Sequence, residues 1–260
     1  TGTGWVNPDG INSLEAVTGG DVTTVAVQYS AVPSWIGFVL DPATTQIQNR
    51  DTVDAVIAEW KARPADQRPE LVLFGESLGA FGSQAAWSAS DTAEQVGGEV
   101  TKIVWVGPPA ESTLWKQWQA DRTSGPAWQP VIGDGTIAKV YINPQELIDS
   151  PAHQGPAITF VAHPNDPVVY WSPSILLQQP DWLDPPLGPG VAPQMKWFPI
   201  ITFLQVGMDL ISGGEPPEVG HNYASGIGPA VALTVSAPGW TAETTARLQA
   251  ALPKLMYVTG

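Results

Sequence analysis

The sequence predicts an α/β fold in which a mostly parallel sheet is flanked by helices. Two observations carry this prediction. Short β-branched apolar runs alternate with stretches of helical periodicity, the order that builds a parallel sheet with crossover helices. The 26 glycines and 26 prolines, a fifth of the 260 residues, then imply tight turns and long loops around those elements. A chain of this length suits one large core, so residues 1–260 are expected to form a single domain.

The elements follow in chain order. Ile11 to Val17 is helical. Val22 to Tyr29 is β-branched, bounded by Gly19-Gly20 and Ser30, and reads as a buried strand. Thr52 to Arg63 is a helix with Val53, Val56, Ile57 and Trp60 on one face and Pro64 as its stop. Glu70 to Phe74 is a second strand, which turns at Gly75 to Gly79 into a helix over Ala80 to Ser88. Ile103 to Val106 is a third strand, ended by Gly107-Pro108-Pro109. Ala157 to Ala162 is a later buried strand that runs into His163-Pro164-Asn165-Asp166-Pro167. Two loop-rich excursions, about 108–155 and 171–218, hold Trp115, Trp118, Trp128, Trp171, Trp182 and Trp197 and are expected as insertions over the C-terminal edge of the sheet. Within the second, Phe198 to Ile211 suits a core or lid helix. Thr241 to Leu252 reads as a closing helix.

Composition excludes several functions. With 43% hydrophobic and 14% charged residues the chain has the apolar surface to fold. A formal charge of −14 argues against nucleic acid or an anionic membrane face as partner. The lack of cysteine removes disulfides, thiolate metal sites and a cysteine nucleophile, and leaves the compartment open. No run approaches the roughly 18 apolar residues that span a bilayer, so the chain as given reads as soluble.

The sharpest motif is Gly75-Glu76-Ser77-Leu78-Gly79, a G-x-S-x-G between an apolar strand and a helix. Such a turn lifts a serine hydroxyl above the sheet, and the amide of Leu78 can donate to a developing oxyanion. A serine needs a base, and three histidines are available. His153 falls in a surface loop, His163 at a strand end where a core or supporting role is open to it, and His221 in Gly220-His221-Asn222-Tyr223 after the last strand. Ser77, Asp166 and His221 then follow the chain order serine, acid, histidine of the α/β-hydrolases. Asp166 is preferred as acid over Asp209 and Glu215, because a loop carboxylate after a buried strand can hold an imidazole. The competing reading of Asn165-Asp166-Pro167 is a plain turn. A second oxyanion donor is expected from Thr3 and Gly4 in Thr1-Gly2-Thr3-Gly4-Trp5, with Ser30 or Ala31 as the alternative. The strand that should lead into that loop is not in the sequence, so the first strands are expected to lie before residue 1. Trp5, Ser30, Trp35 and Trp171 are candidates for lining an acyl pocket, although most tryptophans are expected in the core.

Taken in order, Thr1-Gly2-Thr3-Gly4-Trp5, Gln28-Tyr29-Ser30, Pro33-Ser34-Trp35, Gly75 to Gly82, Trp105 to Pro109, Asn165 to Val169, Trp171-Ser172-Pro173, Pro180-Asp181-Trp182, Trp197-Phe198-Pro199 and Gly220 to Tyr223 resemble the α/β-hydrolase domain of a little-characterised actinobacterial membrane-protein family. Where a second histidine is expected beside the Gly-His motif, this chain has Val219-Gly220. The resemblance implies a serine hydrolase that uses Ser77, Asp166 and His221. It also implies a transmembrane bundle of the same protein preceding the domain, and a cell-envelope location. The substrate expected is a small-molecule or lipid ester, with no metal and no organic cofactor required. An acyltransferase of cell-envelope lipids on the same triad, and an inactive hydrolase-fold binding module, remain open alternatives.

Overall fold

A computed structural model gives the structure of residues 8–27, 41–150, 156–212, 219–223, 227–232, 234–235 and 241–255. Its centre is a parallel sheet of β1 (Val72–Glu76), β2 (Lys102–Val106), β3 (Ala138–Tyr141) and β4 (Ile158–Val161), ordered β1-β2-β4-β3. Phe74 lies opposite Val104, and Phe160 lies opposite both Trp105 and Val140. The helices are α1 (Pro8–Thr18), α2 (Pro42–Ala62), α3 (Leu78–Ser83), α4 (Ala93–Gly97), α5 (Thr113–Ala120), α6 (Pro144–Asp149), α7 (Pro167–Tyr170), α8 (Ile201–Ser212), α9 (Ile227–Ala232) and α10 (Ala242–Leu255).

Side chains of a strand alternate between its faces, and both faces of this sheet are covered, as in a doubly wound α/β domain. One face carries Ile103, Trp105, Ile158 and Phe160 against Leu114, Trp115 and Trp118 of α5. Trp105 and Trp115 sit 5.2 and 5.0 Å from the Phe160 ring, so the aromatic residues of this layer pack on one centre. The other face carries Val104, Val106, Tyr141 and Val161 beneath Leu14 of α1, Leu147 of α6 and Ile227, Ala230 and Val231 of α9.

The expected buried strand from Val22 to Tyr29 is corrected in its described part. Residues 21–27 form no strand, and Val25 and Val27 are exposed. A β-branched run becomes a strand only when a neighbouring edge takes its N–H and C=O groups, and these residues pair with none of the described strands. Gln28 and Tyr29 lie outside the described residues. The helix expected over Thr52 to Arg63 starts ten residues earlier. Asp41 caps it by accepting the Thr44 N–H at 3.2 Å, and Pro42 occupies the first turn, where a missing N–H does no harm. The turn after β1 passes into helix at Leu78, two residues sooner than expected, and ends in a 3-10 turn at Gln84–Ala86.

The first excursion also holds more than loop. It contributes α5, β3 and α6, so it supplies a sheet strand. β3 escapes a periodicity reading because it has four residues, of which Lys139 is exposed. In the second excursion the expected helix forms as α8, followed by Gly213 to Glu218, which lie outside the described residues. Val206 and Thr202 of α8 face inward, whereas Ile201, Leu204 and Met208 are exposed. The closing helix forms as α10, where Thr241 Oγ1 accepts the Thr244 N–H and Thr244 Oγ1 accepts the Thr241 N–H.

Candidate functional site

β1, β2 and β4 are neighbours and run the same way, so their C-terminal ends deliver Ser77, Gly107 and the His163–Asp166 turn to one edge of the sheet. Two backbone bonds extend the ladder beyond the strands. Ser77 N–H donates to Val106 O at 2.8 Å, and Gly107 N–H donates to Val161 O at 2.8 Å. These bonds fix where the chain leaves each strand.

Ser77 has φ 53° and ψ −118°. A residue with a Cβ enters this region only under constraint, and such strain gathers at functional turns. The constraint is the immediate start of α3. A Cβ on Gly75 would stand 2.8 Å from Gly79 O and 2.9 Å from Ala80 N, so the motif's first glycine lets the helix fold back over the strand. Ser77 is half-buried, and its hydroxyl does not cap the helix. Leu78, the next residue, is the first of α3, and its N–H belongs to the amides that have no acceptor inside a helix.

His221 and Asp166, 55 residues apart, form a direct pair: Nδ1 of His221 lies 2.7 Å from Oδ2 of Asp166. The aspartate side chain is fully buried and the imidazole is 19% exposed. Oδ1 of Asp166 accepts the Val168 N–H at 2.8 Å, as the cap of α7, and Oδ2 accepts the Tyr223 hydroxyl at 2.7 Å. Burial by itself would raise the Asp166 pKa. The charge and hydrogen bond of His221, with the donors of Tyr223 and Val168, outweigh it and hold the carboxyl below its ordinary value. Burial likewise works against a charged His221, but the charge and hydrogen bond of Asp166, together with the weaker effect of the Glu76 charge, raise the imidazole above its ordinary value. The nitrogen facing the carboxylate therefore carries the proton, which leaves Nε2 as the basic atom when the ring is neutral.

The His221 ring rests on Gly107. A Cβ there would stand 2.7 Å from His221 Cε1 and 2.9 Å from the Tyr223 ring, and φ is +51°. Since Ser77 N–H donates to Val106 O and His221 lies against Gly107, the serine and the histidine stand beside adjacent residues at the C-terminal end of β2. They are not hydrogen-bonded to each other among the described residues.

The other expected residues distribute as follows. Trp171 packs on Phe203 with centroids 5.0 Å apart and donates its indole N–H to Phe203 O at 3.2 Å, anchoring α8. Thr3, Gly4, Trp5, Ser30, Ala31, Trp35, His153 and Glu215 lie outside the described residues. Asp209 is exposed on α8. His163 is buried, with its Nδ1 2.8 Å from Gly220 O. Gly107 and Tyr223 also belong to the site, and nothing in their local sequence announces the rings they touch. The available signals were a glycine directly after a buried strand and a phenol two residues after the histidine, but neither shows by itself what it touches.

Among the described residues no three histidine, cysteine, aspartate or glutamate side chains gather as a metal site. No curated protein and no solved structure matches the chain. Residues 1–248 match the model of the alpha/beta-hydrolase family, and with that serine turn on a parallel sheet the chain belongs to the alpha/beta-hydrolase family.

Proposed function

We propose that the chain is a serine hydrolase that cleaves carboxylic esters, those of lipids or other acyl groups foremost, through an acyl-enzyme on Ser77. The observation that carries this reading is the strained Ser77 turn beside a His221–Asp166 pair seated on the adjacent strand end. Ser77 Oγ attacks the ester carbonyl while His221 Nε2 takes its proton. The tetrahedral intermediate collapses as His221 returns that proton to the leaving alkoxide. Water, deprotonated by the same nitrogen, then releases the acid and regenerates Ser77. Asp166 keeps the imidazole in the required tautomer and stabilises its charged form. The Leu78 N–H at the start of α3 donates to the oxyanion, with the Thr3–Gly4 amides as the second donor. Closing of the Ser77–His221 hydrogen bond accompanies substrate binding, as in enzymes whose free form holds it open.

Trp5, Ser30, Trp35 and Trp171 belong, in this reading, to the walls of the acyl site, and residues 1–260 to one domain. We further propose a cell-envelope setting in an actinobacterium, with a membrane-spanning part of the same protein as anchor. The sequence resemblance supports this setting, and among the described residues no helix is long and apolar enough to cross a membrane. Fractionation of the full-length protein checks it: recovery in the membrane pellet that resists salt is expected, and release by salt counts against an anchor.

Intact mass after exposure to a fluorophosphonate tests the chemistry. One adduct on the wild type and none on folded Ser77→Ala is expected, with ester turnover reduced on the order of 10^6-fold in the variant. A folded wild type that takes no adduct overturns the proposal in favour of a binding module. Product analysis with glycerol or a sugar present separates hydrolysis from acyl transfer, since transfer gives an acceptor-dependent ester.

A further inference from the structure

The turn that carries His221 is held from both sides by the turn that carries Asp166. Gly220 N–H donates to Asn165 Oδ1 at 3.3 Å, and Gly220 O lies 2.8 Å from His163 Nδ1. A carbonyl only accepts, so Nδ1 of His163 is protonated. The His163 ring stacks on Tyr223, with centroids 4.1 Å apart and planes 15° from parallel. The backbone N–H of His163 donates to Tyr223 Oη at 3.0 Å, and Tyr223 in turn donates to Asp166 Oδ2 at 2.7 Å, the oxygen that holds His221. His163 and Tyr223 are 3% and 1% exposed, so water does not replace these bonds without unpacking the site.

We infer that His163 and Tyr223 are positioning residues of the site, His163 by clamping the Gly220 carbonyl next to His221 and Tyr223 by sharing the Asp166 oxygen that orients the imidazole. This rests on the proposed hydrolase reading. His221 must meet two demands, holding Asp166 through Nδ1 and reaching Ser77 through Nε2, and a ring fixed only at the first end could swing at the second. The clamp on Gly220 and the edge-on contact of Tyr223 with the His221 ring, centroids 5.9 Å apart, remove that freedom. Tyr223 also adjusts charge. Its hydroxyl takes up part of the carboxylate's negative charge, so its loss leaves Asp166 holding the imidazolium more strongly. The other groups with a field on this pair are Glu76, which acts on His221, and Tyr170, which lies near Asp166 and Tyr223.

Three variants test the inference: Tyr223→Phe, His163→Phe and His163→Asn, with melting curves to show that each is folded. Fluorophosphonate labelling and kcat/KM on an activated ester are followed across pH. His163→Phe keeps an aromatic ring but loses the donor, and labelling is expected to slow about 100-fold. An asparagine amide nitrogen can stand where Nδ1 stands, so His163→Asn recovers most of the rate. In Tyr223→Phe the rate falls and the acid limb of kcat/KM moves to higher pH, a displacement that a merely looser structure does not produce. Wild-type rates and an unmoved limb in folded Tyr223→Phe and His163→Phe overturn the inference, as does a His163→Asn variant as slow as His163→Phe. A wild type that neither labels nor turns over refutes the hydrolase reading instead. The positioning claim then stands or falls on the NMR resonance of the proton between His221 Nδ1 and Asp166, which is expected to shift in Tyr223→Phe and overturns the claim if unmoved.

Discussion

Gly107 shows how much a single residue without a side chain decides. It ends β2, turns with φ +51°, and leaves the space that the His221 and Tyr223 rings occupy. A methyl group there meets His221 Cε1 at 2.7 Å, and the backbone angle strains any other residue by about 1–2 kcal/mol. Gly107→Ala is therefore expected to lower kcat/KM about 100-fold while the protein still folds, measured beside a thermal melt. Normal turnover in a folded variant would contradict the seat described for His221. The pH profile of the wild type belongs to the same scale. His221 must be neutral to act as base, and Asp166 holds its pKa above the ordinary value of 6.5. The acid limb of kcat/KM is accordingly expected above pH 6.5, and in Asp166→Asn the turnover is expected to drop by about 10^4-fold.

Among the elements, α5 depends on a residue of another. Its first turn places the Leu114 and Trp115 amides in the core, where Gln84, fully buried after α3, accepts both through Oε1 at 3.0 and 2.9 Å. The usual cap residue, Ser112, makes no side-chain cap bond. Gln84→Ala removes the acceptor for two buried donors, so a loss of about 2–3 kcal/mol in denaturant unfolding is expected. Gln84→Glu keeps the acceptor and separates the lost bonds from the lost volume. Trp105 ties the same region to the sheet, since its indole N–H reaches Ser83 Oγ at 2.9 Å and Ser83 donates to Gly79 O, two residues after Ser77. The serine turn is thus braced by α3 and by the sheet's aromatic layer.

For the whole molecule, site and stability respond oppositely to pH. The Asp166 pKa is lowered on folding, so its contribution is present above the unfolded value of 3.8 and is lost as pH falls through the folded one. The His221 pKa is raised, so its contribution is complete below 6.5 and is lost as pH rises through the folded value. The pair therefore stabilises the fold most between about pH 3.8 and 6.5, where the histidine is charged and cannot act as base. Thermal melts of wild type and His221→Gln are expected to differ most in that window and to converge as the pH rises beyond the wild-type acid limb. A difference independent of pH would mean that the ion pair does not form. The formal charge of −14 adds a general repulsion that salt screens, so added salt is expected to raise the wild-type melting temperature modestly.

The fold class and the places of its principal motifs are written in local sequence. Gly75 to Gly79 after an apolar run marks the serine turn because the strand, the turn and the helix are all local. Asp166 and His221 were legible as candidates from their place after buried strands and from chain order, which the family's topology constrains. The remainder depends on which distant segments the fold brings together. Whether Val22 to Val27 becomes a strand depends on an edge to pair with, and the start of α2 at Pro42 and the strand at Ala138–Tyr141 lie in segments too short or too polar to announce themselves. The seat on Gly107, the Tyr223 hydroxyl on Asp166 and the His163 clamp on Gly220 join residues 57 to 116 positions apart in the chain. Local composition records propensity, but a hydrogen bond between distant residues exists only after the sheet has placed their turns side by side.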